Sequence, residues 1–124
     1  MKTKTQPLSK AFRHAFNGLF YFFRKDRNGK IHLVLAISVV IAGWFFTIST
    51  TEWALLLLCI SLVIGLEMGN HALEKLADAT HPEKHPLVGI AKDVAAAAVL
   101  WAAIISIVIG LLIFLPKISS FLCA

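Results

Sequence analysis

The sequence predicts an all-α membrane protein with three transmembrane helices and an N-terminal amphipathic surface helix. Of its 124 residues, 58% are hydrophobic and 15% are charged, whereas an ordinary soluble domain is about half apolar with about a quarter of its residues charged. The apolar residues gather in three long runs, at 31–48, 53–69 and 94–116. Each run is close to the length of about 20 residues that a helix needs to cross a bilayer.

The segment before the first run predicts a helix on the membrane surface, over about residues 8–25. Apolar residues recur there at steps of three and four, from Leu8 to Phe23, and the basic residues lie mostly between them. An aromatic stripe beside a basic face is typical of helices that lie in the membrane interface. The sequence "RNGK" at 27–30 then separates this helix from the first span.

Each apolar run must be helical, because lipid offers no partner for unsatisfied backbone N–H and C=O groups. We expect the spans at about 31–48, 53–78 and 90–116. The second continues past its apolar part as an amphipathic extension on the cytoplasmic side. Together with the surface helix, the spans form a single domain over residues 1–124.

The distribution of basic residues predicts how the chain is oriented. Of the twelve Lys and Arg residues, eight precede the first apolar run, three lie between the second and third runs, and Lys117 follows the third. The connection "STTE" between the first two spans has none. The positive-inside rule therefore places the N-terminus and the second connection in the cytoplasm and the C-terminus outside. No basic run is long enough to indicate a nucleic-acid partner.

A polar stripe follows the second apolar run, in "LEMGNHALEKLAD" at residues 66–78. At about 100° per residue, its polar members fall within an arc of about 100° on one face of a helix; they are Glu67, Asn70, His71, Glu74 and Asp78. An ionisable group at the membrane boundary needs a partner and is a functional candidate, which applies most strongly to Glu67. For Asp78, near the helix end, a solvated face is the favoured interpretation.

Lys92 and Asp93 open the third span at the same membrane level. Lys92 is expected to neutralise part of the charge of Glu67 and Glu74 if the third helix packs on the second. Two simpler interpretations stay open: Lys92 snorkels to the interface, and Asp93 favours a helix N-terminus. Four alanines at 95–98 allow the two helices to approach closely.

These residue types fit phosphoryl transfer at a cytoplasmic membrane surface. One or two carboxylates together with phosphate and water oxygens hold Mg²⁺ on a nucleotide, and a further carboxylate can take the proton of a lipid hydroxyl. His81 and His85 raise the alternative of a transition-metal site. Pro82 and Pro86, however, make "HPEKHP" a loop, and no third ligand is placed nearby.

The ordered motifs resemble the small prokaryotic diacylglycerol kinases and the related undecaprenol kinases. The resemblance rests on "EMGNHALEKLAD" and "AKDVAAAAV", and extends to "FRHAFNGL" and "DRNGKIHL", so it covers nearly the whole chain. It implies an ATP-dependent lipid kinase with Mg²⁺ as cofactor. It also implies a homotrimer with active sites shared between protomers, in the bacterial inner membrane.

The resemblance also assigns roles to residues at matching positions. Catalytic roles fall to Glu67 as the base, to its neighbour Asn70, and to Lys92 and Asp93, which contact phosphate. Metal binding falls to Glu74 and to Asp26, where the family usually has glutamate. Nucleotide binding falls to Asn17, Gly18, Glu83 and His85, together with Lys92 and Asp93. His71 departs from the pattern, since the family usually has threonine or serine there.

Two questions stay open at the level of sequence. The acceptor is diacylglycerol, giving phosphatidic acid, or undecaprenol, giving undecaprenyl phosphate; "DRNGKIH" resembles the undecaprenol kinases, whereas the family name indicates diacylglycerol. A proton-coupled transporter subunit and a non-catalytic membrane adaptor are the alternative functions. The Lys92 and Asp93 pair, at the level of the acids on the second span, favours the kinase over both.

Overall fold

Four helices follow one another along the chain in the computed structural model, which describes residues 5–123: α1 (Leu8–Lys25), α2 (Arg27–Phe45), α3 (Thr50–Thr80) and α4 (Pro86–Leu122). Helices α2, α3 and α4 are long and apolar enough to cross a membrane. Helix α1 precedes them and is strongly amphipathic. The predicted all-α membrane fold, with three spans and an N-terminal amphipathic helix, is confirmed.

A single residue, Asp26, separates α1 from α2. The expected break at 27–30 is wrong, because these residues form the first turn of α2, which Asp26 caps. Its backbone is extended, and its side chain caps α2 by accepting a 2.7 Å hydrogen bond from the Gly29 N–H. The Phe22 ring packs on the bare backbone of Gly29, where an added Cβ would lie 2.6 Å from the ring. This tight joint fixes the C-terminal end of α1 against the start of α2.

The turn between α2 and α3 is closed by a capping box. The Ser49 hydroxyl accepts a hydrogen bond from the Glu52 N–H at 3.2 Å, and the Glu52 carboxylate accepts one from the Ser49 N–H at 3.0 Å, which satisfies two free donors at the helix start. Glu52 also forms a 3.2 Å ion pair with Lys117 near the end of α4. The start of α3 and the end of α4 therefore lie together.

The apolar core lies at this same end of the helical bundle. Ile48, Leu56 and Ile113 are buried there, with partly buried neighbours from α2, α3 and α4. Helix α3 packs most extensively on α4 and less on α2, and α1 packs on α2. Many large apolar side chains are exposed in the single chain, such as Trp44 and Trp101. Such surfaces face lipid or further membrane helices.

Residues 81–85 connect α3 to α4 without helical structure, as the two prolines predict. His85 caps α4, because its Nδ1 accepts a 3.2 Å hydrogen bond from the Leu87 N–H, and Pro86 occupies the first turn. Helix α4 continues through Pro116 to Leu122. The loop brings the end of α3 beside the start of α4, which sets the geometry of the candidate site.

Candidate functional site

Glu67 is buried in α3, with only 3% of its surface exposed. The polar groups close enough to act on its carboxylate are Asn28, Asp26, His32 and Glu74. None of the ion pairs found among residues 5–123 involves Glu67. A carboxylate buried beside other acids and without a cation is costly for the fold, so this position indicates function.

Asn70 lies one turn further along α3 and is also buried, with 8% of its surface exposed. Its Oδ1 is buried and has no hydrogen-bond partner within residues 5–123. Because amide oxygen and nitrogen are assigned from the surrounding hydrogen bonds, this group can present either an acceptor or a donor. Asn70 is therefore a free polar group beside Glu67.

Asp26 points from the joint between α1 and α2 towards α3. Its Oδ2 accepts the hydrogen bond from Gly29, and its Oδ1 lies 3.2 Å from His71 Nδ1. A carboxylate has about four acceptor sites, so these two bonds leave capacity on both oxygens. Asp26 is thus held in place and can still bind a cation.

Glu74 lies two turns beyond Glu67 and is exposed. Neither it nor Glu67 takes part in an ion pair among the described residues, whereas Asp26 pairs with His71, so two of the three carboxylates have no ion-pair partner there. No group of three or more His, Cys, Asp or Glu side chains is arranged to hold a metal ion in this part of the chain. Mg²⁺ commonly takes one or two protein carboxylates and draws its other ligands from phosphate and water. The donor set therefore fits Mg²⁺ on a nucleotide.

Lys92 forms its ion pair with Asp78, at 2.6 Å. Lys92 was expected to neutralise part of the charge of Glu67 and Glu74. It lies within electrostatic range of Glu74, but it is not among the groups that act on Glu67. The reason is geometric, because the short loop sets the start of α4 against the end of α3. Glu67 precedes Asp78 by eleven residues, which is about 16 Å along α3. Asp78, interpreted as a solvated residue, is the actual partner.

A cleft of about 470 Å³ lies at the connection between α3 and α4, and Asp78, Glu83, His85 and Lys92 all line it. The structure thus brings three of the predicted nucleotide-binding residues together. Asp93 is exposed beside Lys92, and the described residues show no hydrogen bond or ion pair for its side chain. The cleft has charged groups of both signs.

Asn17 and Gly18 lie elsewhere, on the exposed surface of α1. Gly18 lines a different cavity, of about 610 Å³, between α1 and α3, whose walls are mostly aromatic and apolar. Within one chain these two residues do not join the cleft lined by Glu83 and His85. The single chain therefore does not gather all the predicted nucleotide-binding residues.

An apolar groove of about 260 Å³ runs between α2, α3 and α4 and is called the intramembrane groove below; its lining residues are His32, Leu35, Ala36, Val39, Leu56, Cys59, Ile60, Val63, Ile64, Ala103, Ser106, Ile107, Gly110 and Phe114. Val63 and Ile64 lie one turn before Glu67 on α3. One end of the groove is therefore next to the buried carboxylate, and the rest extends into the apolar part of the bundle.

Sequence reasoning assigned no site role to three polar neighbours: Asn28 and His32 near Glu67, and Asp78 beside Lys92. The first two belong to "DRNGKIH", a motif that was interpreted for the acceptor only. They stand on α2, and their approach to α3 depends on helix packing. The motif contains both residues, but only the packing of α2 on α3 shows that they lie near Glu67.

Comparison with known proteins identifies the family to which the sequence is similar. The family described as "Prokaryotic diacylglycerol kinase" matches residues 13–114. The chain is 42% identical over 109 residues to "Undecaprenol kinase" of Bacillus subtilis (strain 168), covering 88% of this chain and 89% of the relative. It is 39% identical over 111 residues to "Diacylglycerol kinase" of Synechocystis sp., covering 89% of this chain and 63% of the relative.

A third relative, "Diacylglycerol kinase" of Helicobacter pylori (strain J99), is 31% identical over 113 residues, covering 82% of this chain and 88% of the relative. The family match at residues 13–114 extends from α1 to α4, and it includes the buried Glu67 and the Lys92 and Asp93 pair. The predicted resemblance is confirmed, and the chain belongs to the prokaryotic diacylglycerol kinase family.

Proposed function

We propose that the chain transfers the γ-phosphoryl group of Mg-ATP to the hydroxyl of undecaprenol, with Glu67 as the base. Its family and its kinase-named relatives make it a multi-pass membrane lipid kinase that uses ATP. The observation that carries the proposed chemistry is the buried Glu67 carboxylate, which has no cation partner among residues 5–123. The Glu67 carboxylate lies between the intramembrane groove and the polar end of the helices, which we place in the cytoplasm.

Glu67 accepts the proton of the lipid hydroxyl while the hydroxyl oxygen forms a bond to the γ-phosphorus. The bond from that phosphorus to the oxygen shared with the β-phosphate breaks, and ADP leaves with that electron pair. The free Oδ1 of Asn70 can accept a hydrogen bond from the hydroxyl and orient it. Burial excludes water from Glu67, which limits hydrolysis of ATP.

Asp26 and Glu74 would hold Mg²⁺ through carboxylate oxygens, with phosphate and water as the remaining ligands. When bound, the metal offsets charge on the phosphates during transfer. Lys92 has three N–H donors; one binds Asp78, and the others are free to contact phosphate. Asp93 beside it would help organise the same phosphates.

Glu83 and His85 would contact the nucleotide in the cleft at the loop. Asn17 and Gly18 would contact the nucleotide from α1, and they do not reach this cleft within one chain. A homotrimer in which a neighbouring α1 completes the site would satisfy both observations. The large exposed apolar surface of the spans also favours assembly.

The intramembrane groove favours undecaprenol as the acceptor. Its part along α3, from Leu56 to Ile64, is about 12 Å long at the helical rise, and its volume is only about 260 Å³. A polyprenol presents one chain directly attached to its hydroxyl, whereas diacylglycerol brings two chains joined at glycerol. The relative named undecaprenol kinase and the "DRNGKIH" motif support the same choice.

The proposed orientation places the N-terminus, the α3 to α4 loop and the active site on the cytoplasmic side of the bacterial inner membrane, with the C-terminus outside. It rests on the basic residues that precede α2 and lie near the loop. ATP is available on that side. Glu52 and Lys117, at the opposite end, neutralise each other, which leaves that end without net charge from this pair.

The experiment presents the purified chain in lipid vesicles with undecaprenol and diacylglycerol side by side, using labelled ATP. We expect labelled undecaprenyl phosphate as the main product, with none in vesicles lacking an acceptor. Phosphatidic acid as the main product would refute the acceptor and leave the kinase. No labelled lipid, together with proton flux that does not need ATP, would support the transporter alternative instead.

A further inference from the structure

We propose that His71 is a positioning residue for the metal site, and that it works by holding the Asp26 carboxylate against α3. This inference rests on the proposed role of Asp26 as a metal ligand. His71 Nδ1 lies 3.2 Å from Asp26 Oδ1, and the two residues are 45 positions apart in sequence. The bond therefore links the joint between α1 and α2 to α3, one turn beyond Glu67.

The direction of this hydrogen bond follows from the chemistry of its partners. A carboxylate oxygen only accepts, so the proton of the bond is on His71 Nδ1. The other ring nitrogen, Nε2, is buried and has no hydrogen-bond partner within residues 5–123. The imidazole is thus oriented by a single hydrogen bond, the one to Asp26.

The ring of His71 is held by aromatic packing as well. The Tyr21 ring lies 6.0 Å from it and the Phe22 ring 5.8 Å from it, both measured between centroids. Phe22 is itself buried and packed on Gly29. The side chains of both His71 and Asp26 are only 15% exposed, so the pair is shielded from competing water.

Asp26 carries its carboxylate on a short side chain, so the position of that carboxylate is set by the backbone of the joint and by its two hydrogen bonds. The Gly29 N–H fixes one oxygen and His71 fixes the other, which leaves the carboxylate one orientation. Residues that hydrogen-bond a metal-ligating group orient it and commonly change metal affinity by about 10- to 100-fold when mutated.

The test compares His71→Thr, His71→Asn and His71→Leu with the wild type in lipid vesicles; leucine fills about the volume of the ring without a hydrogen-bond donor. The amide N–H of asparagine stands near the place of Nδ1, so His71→Asn keeps the donor. His14→Thr is the matched control, because His14 is an exposed histidine on α1 outside the site. Binding is measured by electron paramagnetic resonance with Mn²⁺ and a non-hydrolysable ATP analogue, and transfer is measured across a Mg²⁺ titration.

We expect His71→Thr to weaken Mn²⁺ binding and to raise the Mg²⁺ concentration for half-maximal transfer by about 10- to 100-fold, with kcat at saturating Mg²⁺ nearly unchanged. His71→Leu should lose about as much as His71→Thr, His71→Asn should remain within a few-fold of the wild type, and His14→Thr should equal the wild type. Equal Mn²⁺ affinity in the wild type and His71→Thr would overturn the proposal. Equal losses in the threonine and asparagine variants would also overturn it.

If His71→Thr does not fold, His71→Leu decides: weak Mn²⁺ binding supports the proposal, and binding equal to that of the wild type refutes it. The Mn²⁺ series also separates this inference from the proposed function. A wild type that transfers phosphate to no lipid would refute the function, while its Mn²⁺ affinity relative to the variants still tests the His71 and Asp26 pair.

Discussion

Filling the intramembrane groove should weaken binding of the lipid acceptor without damaging the fold, and Gly110→Leu is the substitution that does so. Gly110 lines the groove, and a Cβ added there meets no atom within 4 Å. The leucine side chain therefore enters open space in a groove of about 260 Å³. Leucine is also favoured over glycine in a helix by about 0.8–1 kcal/mol, so the stability of α4 should not fall.

The size of the effect follows from what the groove offers a lipid chain. Membrane lipid is as apolar as the groove, so the chain gains little hydrophobic free energy by entering it. What it gains is close packing, at about 0.1–0.2 kcal/mol for each atom pair. Losing about ten such contacts costs about 1–2 kcal/mol, which raises the KM for undecaprenol roughly five- to thirty-fold.

The assay is the initial rate of transfer in mixed vesicles as the mole fraction of undecaprenol is varied. The value of kcat should change little, because bond formation takes place at Glu67, at one end of the groove. Gly65→Leu is the control, since Gly65 is an exposed glycine with equally open surroundings and does not line the groove. An unchanged KM in Gly110→Leu, or an equal rise in both variants, would refute the assignment of the groove.

Three further predictions concern the joint, the far end of the bundle and the metal. Gly29→Ala should lower the free energy of unfolding by about 1–3 kcal/mol, because its Cβ would lie 2.6 Å from the Phe22 ring; an unchanged thermal midpoint in detergent would contradict this. Glu52→Gln should change the thermal midpoint only slightly, since the ion pair with Lys117 is partly exposed, and transfer rates should stay at wild-type values. Glu74→Ala should raise the Mg²⁺ requirement at least about tenfold, and an identical Mg²⁺ titration would count against its role as a ligand.

The fold class could be predicted from the sequence because it depends on local patterns. The apolar runs specify spans by their length, and the three- and four-residue steps of the first segment specify an amphipathic helix. Prolines at positions 82 and 86 specify the loop between α3 and α4. Each of these signals lies within the element that it determines.

The contacts within the candidate site could be predicted only in part, because they depend on how helices pack. The polar stripe from Glu67 onward was visible as a helical face, whereas the partner of Lys92 depends on the length of the loop that sets α4 against α3. The bond between His71 and Asp26 joins positions 45 residues apart, and nothing in either local sequence indicates it. The intramembrane groove likewise exists only once α2, α3 and α4 are packed together.

The most direct test of the central claim is transfer of labelled phosphate to undecaprenol by Glu67→Gln in vesicles matched to the wild type. The substitution keeps the shape of the side chain and removes the base, so the rate should fall about 10²- to 10⁴-fold. The thermal midpoint should stay equal or rise, because a buried carboxylate without a cation partner in residues 5–123 is costly. Transfer within a few-fold of the wild type by a correctly folded Glu67→Gln would contradict the account.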